Sequence, residues 1–139
     1  MEMRSKWSNM FVEQGLDAVI FPALPLPAMQ HEIPGRLTAA FSNMFIANIL
    51  QWPSGVVPVT TVRQDEQFYK EAPNDGYCQM AHQVMENSAG LPMGVSVLAP
   101  MFQDEKCLRV MKEVETLAGF TTKPMAYKKE KEAAKTVRV

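Results

Sequence analysis

The stretch that decides the fold is Ser54-Gly55-Val56-Val57-Pro58-Val59-Thr60-Thr61-Val62. A Ser-Gly turn opens it, and the β-branched residues that follow are typical of a strand. Pro58 has no backbone N–H, so it must lie at a sheet edge, at a bulge or at a position where that N–H is not needed. Residues 54–62 therefore predict a turn and then a strand with one irregular position.

Two short apolar runs, one on each side of this stretch, predict two further strands at residues 18–21 and 93–98. The first run is continuously apolar, so we expect a central strand that is buried on both faces. Three strands make a narrow sheet, and a narrow sheet of buried strands leaves a hydrophobic edge open. We therefore expect more strands to be supplied from elsewhere.

Helical spacing of apolar residues predicts four helices between and around the strands. Their predicted limits are Gly15 at the end of the first, Thr38 as the N-cap of the second, Tyr77 near the start of the third, and Asp104 as the N-cap of the fourth. The alternation of helices and strands predicts an α/β fold, with crossover helices and at least partly parallel strand pairing.

The composition is that of one globular domain in a reducing compartment. Of the 139 residues, 47% are hydrophobic and 21% are charged, and the formal net charge of −1 argues against nucleic acid as a partner. Two cysteines do not make a disulfide framework, so we expect an intracellular protein. The longest apolar stretch, residues 18–29, contains three prolines and is shorter than the roughly 20 residues of a membrane-spanning helix.

Few residues suggest chemistry by themselves. Cys78 and His82 are four residues apart on a predicted helix and could both bind one metal ion, but a zinc site needs three or four ligands, so a small core cysteine and a surface histidine explain them better. Ser54 and Ser88 each lie in a turn near a glycine, where the hydroxyl can bond back to the backbone or act as a nucleophile. We expect no metal and no cofactor.

Large apolar side chains recur on two of the predicted helices. Core packing is the default explanation, and the functional alternative is that some of them line a pocket for a long apolar ligand. The residues concerned are Phe41, Met44, Phe45, Tyr77 and Met80.

Several separate stretches resemble the amidase signature family, and within it the branch of animal fatty-acid amide hydrolases. They are residues 54–62, residues 85–95 with Gly90-Leu91-Pro92-Met93-Gly94, Pro34-Gly35-Arg36, and residues 107–115. The resemblance covers about residues 16–117. Ser96 and Ala99-Pro100 stand where many amidases keep Gln and Gly, which favours the fatty-acid branch.

The resemblance implies a larger enzyme than these residues can form. It implies an α/β/α sandwich around a mixed sheet, with residues 1–122 as the C-terminal segment of the amidase domain. The mixed charge of residues 123–139, without an apolar face, predicts a flexible tail. The family's nucleophilic serine, bridging serine, lysine base and membrane-binding helices belong to a region before these residues. We therefore expect no catalytic residue here.

The resemblance also implies an acyl-channel wall, to which we refer below as the wall residues: Thr38, Phe41, Phe45 and Tyr77. Phe41 and Phe45 are larger than the aliphatic residues usual there, and Tyr77 replaces a tryptophan. The implied substrates are long-chain fatty-acid amides.

Two hypotheses follow for function. The first is the C-terminal section of a serine amidase, whose complete form is intracellular, associated with endomembranes through an upstream segment, and able to form a homodimer. The second is a truncated, catalytically silent lipid-binding or interaction module that pairs with a relative through its open sheet edge.

Overall fold

The computed structural model describes residues 2–68 and 73–121. Within them, helices and strands alternate as the apolar spacing predicts. The predicted tail at residues 123–139 lies outside the described residues. The elements are α1 Glu2–Gln14, β1 Val19–Pro22, α2 Ser42–Leu50, β2 Ser54–Thr61, α3 Gly76–Met85, β3 Pro92–Leu98 and α4 Asp104–Ala118, with 3₁₀ turns at Thr38–Phe41 and Gln64–Glu66.

The sheet has the order β1-β3-β2, and β3 is antiparallel to both neighbours. Leu98 of β3 lies opposite Val19 on one side and Ser54 on the other. The predicted parallel pairing is therefore wrong for the described strands. β1 and β2 do run in the same direction, as crossover connections favour, but β3 lies between them and pairs with both.

The prediction that residues 18–21 form a central strand is also wrong for the described sheet. β1 pairs only with β3 here, and the side chain of Ile20 is 52% exposed. The buried central strand is β3, in which Val97 and Leu98 have no exposed surface. A short apolar run shows that a strand is hydrophobic but does not show its place in the sheet.

Pro58 lies where its chemistry requires. β2 is an edge strand of the described sheet, and its register with β3 shifts between Pro58 and Thr60, which marks a bulge. Gly94 lies opposite Pro58, and a Cβ atom at Gly94 would come within 2.9 Å of the carbonyl oxygen of Val57. The glycine thus allows the two backbones to approach closely at the bulge.

Helices cover both faces of the sheet. On one face, α1 and α2 pack on β3 through a cluster of Phe11, Leu50, Trp52 and Leu98, in which the Phe11 and Trp52 rings meet edge to face at 5.1 Å. On the other face, Cys107 of α4 packs against Val97 and Ala99. The described residues therefore form helix, sheet and helix layers, which fits the predicted α/β class.

A third cluster joins α3 to the loop that follows β1. Leu26 and Leu37 of the loop pack with Ala81, Val84 and Met85 of α3. Leu37 is completely buried. This packing fixes the position of α3 relative to the 3₁₀ turn at Thr38–Phe41.

The helix ends agree with the sequence in part. Gly15 and Gly119 adopt positive φ values of 62° and 57° directly after α1 and α4, as predicted. Thr38 and Asp104 are not N-caps, because Thr38 begins the 3₁₀ turn and Asp104 is the first residue of α4.

None of the helices in residues 2–68 and 73–121 combines the length and apolar character that a bilayer crossing demands.

Candidate functional site

A hydrogen bond brings the two predicted parts of the wall together. The backbone N–H of Ala40 donates to the hydroxyl oxygen of Tyr77 at 2.8 Å, although the two residues are 37 positions apart. This bond joins the start of α3 to the 3₁₀ turn that carries Thr38 and Phe41. The hydroxyl of Thr38 donates to the carbonyl oxygen of Gly35 at 3.1 Å, which braces the same turn.

The wall residues lie outside the buried clusters of the described residues. Phe45 is 43% exposed and Tyr77 is 39% exposed, Thr38 is exposed, and Phe41 is half-buried. Helix α2 explains this arrangement, because its inner face, with Ile46, Ala47 and Leu50, packs on the sheet and leaves Phe45 on the opposite face.

Two further residues extend this apolar surface. Met44 is 40% exposed and Ile49 is 57% exposed, and both lie on α2 at helical spacing from Phe41 and Phe45. We call Met44, Phe45 and Ile49, together with Phe41 at the end of the preceding 3₁₀ turn, the outer face of α2. The spacing was visible in the sequence, but it does not show which face of a helix is covered. Met80, by contrast, packs against the cluster of α3 and the loop, as the core explanation predicts.

Asp75 holds the start of α3 in place beside Tyr77. Its carboxylate accepts a hydrogen bond from the backbone N–H of Cys78 at 2.8 Å, and this bond lowers the pKa of Asp75. Desolvation, and then the neighbouring Asp75, raise the pKa of the Cys78 thiol. The thiol therefore stays protonated at neutral pH and is a poor nucleophile.

This cap makes a testable prediction about pH. Because the folded pKa of Asp75 is lowered, its stabilising effect is complete above the pKa of the unfolded chain and is lost as the pH falls through the lower folded value. We expect Asp75→Ala to lower the thermal unfolding midpoint at pH 7, and the difference from the unaltered protein to shrink in acid. Asp75→Asn, which can still cap the helix but does not titrate there, is the control. A difference that is constant across the acid range would contradict the prediction.

The metal explanation for Cys78 and His82 gains no third ligand. Within residues 2–68 and 73–121, no group of three or more histidine, cysteine, aspartate or glutamate side chains could hold a metal ion. The other cysteine, Cys107, is buried between α4 and the sheet, where burial and then Asp104 raise its pKa.

The predicted turn at Ser54 and Gly55 is wrong, because both residues belong to β2 and pair with β3, whereas Ser88 follows α3 as predicted. Ser88 is buried, and its hydroxyl donates to the carbonyl oxygen of Met85, as the non-catalytic explanation requires. Ser54 is exposed at the start of β2. The lysines of the described residues pair with carboxylates: Lys6 with Glu2, Lys106 with Asp17 and Lys112 with Glu115. Among the residues that the structure describes, no lysine forms a hydrogen bond with Ser54 or Ser88.

The sequence comparisons identify the class of protein. A model of the family described as Amidase matches residues 1–108. The chain therefore belongs to the amidase family, as the resemblance predicted.

Within that family, the chain is similar to fatty-acid amide hydrolases. It is 34% identical over 115 residues to "Fatty acid amide hydrolase 1" of Caenorhabditis elegans, covering 81% of this chain and 20% of that protein. It is 41% identical over 106 residues to "Fatty-acid amide hydrolase 1" of Sus scrofa, covering 73% of this chain and 18% of that protein. It is also 28% identical over 131 residues to "Acetamidase" of Emericella nidulans, with coverage of 89% and 23%.

The chain spans about a fifth of the length of these relatives. A segment of this size has room for one helix-covered sheet, such as the one described above.

Proposed function

We propose that this chain forms part of a serine amidase that hydrolyses long-chain fatty-acid amides. In this proposal it contributes scaffold and one wall of the acyl channel, while the serine–serine–lysine triad comes from residues outside these 139. The observation that carries the proposal is the hydrogen bond between Ala40 and Tyr77, because it joins two separate parts of the wall beside the apolar outer face of α2.

The chemistry of the outer face of α2 suits an acyl chain. Burying an apolar group gains about 0.8 kcal/mol per CH₂, so a long chain laid along Phe41, Met44, Phe45 and Ile49 would gain several such increments. A short acyl group such as acetyl would gain almost none. The wall would therefore favour long-chain amides over short ones, and the names of the Caenorhabditis elegans and Sus scrofa relatives refer to fatty-acid amides.

Binding alone does not cleave an amide. Hydrolysis needs a nucleophile activated by a base and donors that stabilise the oxyanion. Ser54 and Ser88 do not meet the first requirement, since Ser88 donates to a backbone carbonyl and neither serine is hydrogen-bonded to a lysine of the described residues. We therefore assign the bond cleavage to residues outside this chain.

The edges of the sheet fit the same proposal. β1 and β2 are both edge strands of the described sheet, and Ile20 of β1 remains half exposed. In the proposed enzyme, further strands would pair with an edge and extend the three layers into the α/β/α sandwich of the family. Attachment to endomembranes would come from a segment outside these residues.

The same edges favour a second candidate function. An exposed edge strand can pair with another chain, so a catalytically silent module could join a second copy of itself or a relative. Such a module would bind a fatty-acid amide through the wall residues without cleaving it.

Labelling with a fluorophosphonate separates the two candidates. These reagents attach covalently to activated serines, so the protein at its natural length should be labelled at one serine if it is the proposed amidase. Peptide mapping should place that serine outside the present 139 residues. Absence of labelling would favour the silent module, and an adduct on any serine within these 139 residues would contradict both.

A further inference from the structure

A cavity of about 440 Å³ lies at the far end of α3 from Tyr77. The loop after β1 forms one side of it, and the last turn of α3 with the turn that follows forms the other. Its lining includes Ala28 and Ile33 of the loop and Glu86, Asn87 and Leu91 after α3.

The polar part of the cavity carries negative charge. Glu86 is the one ionisable residue that lines it within the described residues, and no basic residue lines it. The C-terminal end of α3 adds the negative end of a helix dipole at the same place. At this end of α3, the carbonyl oxygens of His82 and Met85 each accept a hydrogen bond from a backbone N–H group. Within the described residues, the carbonyl oxygens of Gln83 and Val84 accept no such bond.

The rest of the lining suits a small organic ligand with an apolar body. Ala28, Ile33, Val84 and Leu91 supply apolar surface, and the side-chain amides of Gln30, Gln83 and Asn87 can accept hydrogen bonds. The volume lies within the range of about 300–1,000 Å³ that is usual for small-molecule sites. An anionic ligand would be repelled by the Glu86 carboxylate and by the negative C-terminal end of α3.

We propose that this cavity binds a small aliphatic ammonium ion, with the ammonium group at Glu86 and the end of α3 and the alkyl body against Ile33 and Leu91. An ammonium group has three N–H donors and no acceptor, which matches carboxylate, carbonyl and amide oxygens. Its alkyl body covers the apolar lining.

This site is separate from the wall. Tyr77 and Glu86 lie at opposite ends of α3, about 14 Å apart at 1.5 Å per residue. The inference does not rest on the proposed amidase function, since the cavity needs neither the outer face of α2 nor a catalytic serine.

The test is a calorimetric titration of the protein at its natural length with butylammonium, and with 1-butanol as the uncharged probe of similar size. We expect butylammonium to bind and 1-butanol to bind much more weakly. Glu86→Gln keeps the size of the side chain and removes its charge, and we expect it to weaken butylammonium binding about tenfold, as loss of a charge-assisted hydrogen bond does.

Two further variants control for charge and for space. Glu32→Gln makes the same chemical change on an exposed residue of the same loop that does not line the cavity, and we expect unchanged binding. Ala28→Phe starts from an exposed alanine at the cavity, and we expect its ring to block the ligand without a change in charge. The proposal is overturned if the unaltered protein does not bind butylammonium, if 1-butanol binds equally well, or if Glu86→Gln and Glu32→Gln have the same effect.

Discussion

Phe45→Ala should lower kcat/KM for oleamide about tenfold and leave kcat/KM for acetamide nearly unchanged. Phe45 lies on the outer face of α2 with 43% of its surface exposed, so its ring is available to an acyl chain. Covering a phenylalanine side chain contributes roughly 1.5–3 kcal/mol, and about 1.4 kcal/mol corresponds to a tenfold change. Steady-state kinetics of the protein at its natural length, with both amides, would measure the effect.

The matched control for this variant is Leu108→Ala. Leu108 is also a large, exposed apolar residue, at 63%, but it lies on α4, across the sheet from α2. We expect Leu108→Ala to leave kcat/KM unchanged for both oleamide and acetamide. An equal loss of activity toward oleamide and acetamide in Phe45→Ala would show that Phe45 supports the fold rather than the acyl chain.

Leu98→Ala should reduce the free energy of unfolding by about 2–5 kcal/mol, the usual cost of removing a buried leucine side chain. Leu98 has no exposed surface, and it packs with Phe11, Leu50 and Trp52 between the sheet and two helices. The cavity left behind would be enclosed by the central strand and by both helices, so the surroundings have little freedom to collapse into it. Thermal or urea unfolding of the natural protein would measure the loss.

Leu117→Ala is the control for this second variant. Leu117 is in α4 and is 85% exposed, so its removal should change stability by no more than about 0.5 kcal/mol. If Leu98→Ala lowered the free energy of unfolding by no more than Leu117→Ala does, β3 would not be the centre of the packed core.

Local features of the chain were predictable because their causes are local. Pro58 lacks an N–H, and the structure places it on an edge strand beside a bulge, two of the positions that proline chemistry allows. Gly15 and Gly119 end helices through positive φ values that glycine adopts at no steric cost. Apolar spacing located all three strands of the described sheet to within two residues.

The strand order was not predictable in the same way. Residues 18–21 are as apolar as a buried central strand, yet β1 is at an edge of the described sheet. Pairing depends on contacts between residues that are far apart in the chain, as between Val19 and Leu98, and the apolar pattern of one strand contains no information about its partner. In the proposed enzyme, the exposed side of Ile20 would be covered by a neighbouring part of the domain.

The candidate site came from the resemblance and not from residue chemistry. Nothing in the sequence indicates that Tyr77 lies beside the 3₁₀ turn, since the hydrogen bond that joins them is donated by the backbone N–H of Ala40. A backbone donor has no sequence signature. The roles of Thr38, Phe41, Phe45 and Tyr77 in binding an acyl chain remain a prediction, which the Phe45 variant tests.

The ratio of kcat/KM for oleamide to that for acetamide, measured on the unaltered protein at its natural length, tests the proposed acyl wall most directly. Both substrates present the same primary amide, so the ratio reports the contribution of the acyl chain. We predict a strong preference for oleamide, because only a long chain can cover the outer face of α2. Equal values, or a preference for acetamide, would contradict the assignment of Phe41, Phe45 and Tyr77 to an acyl-binding wall.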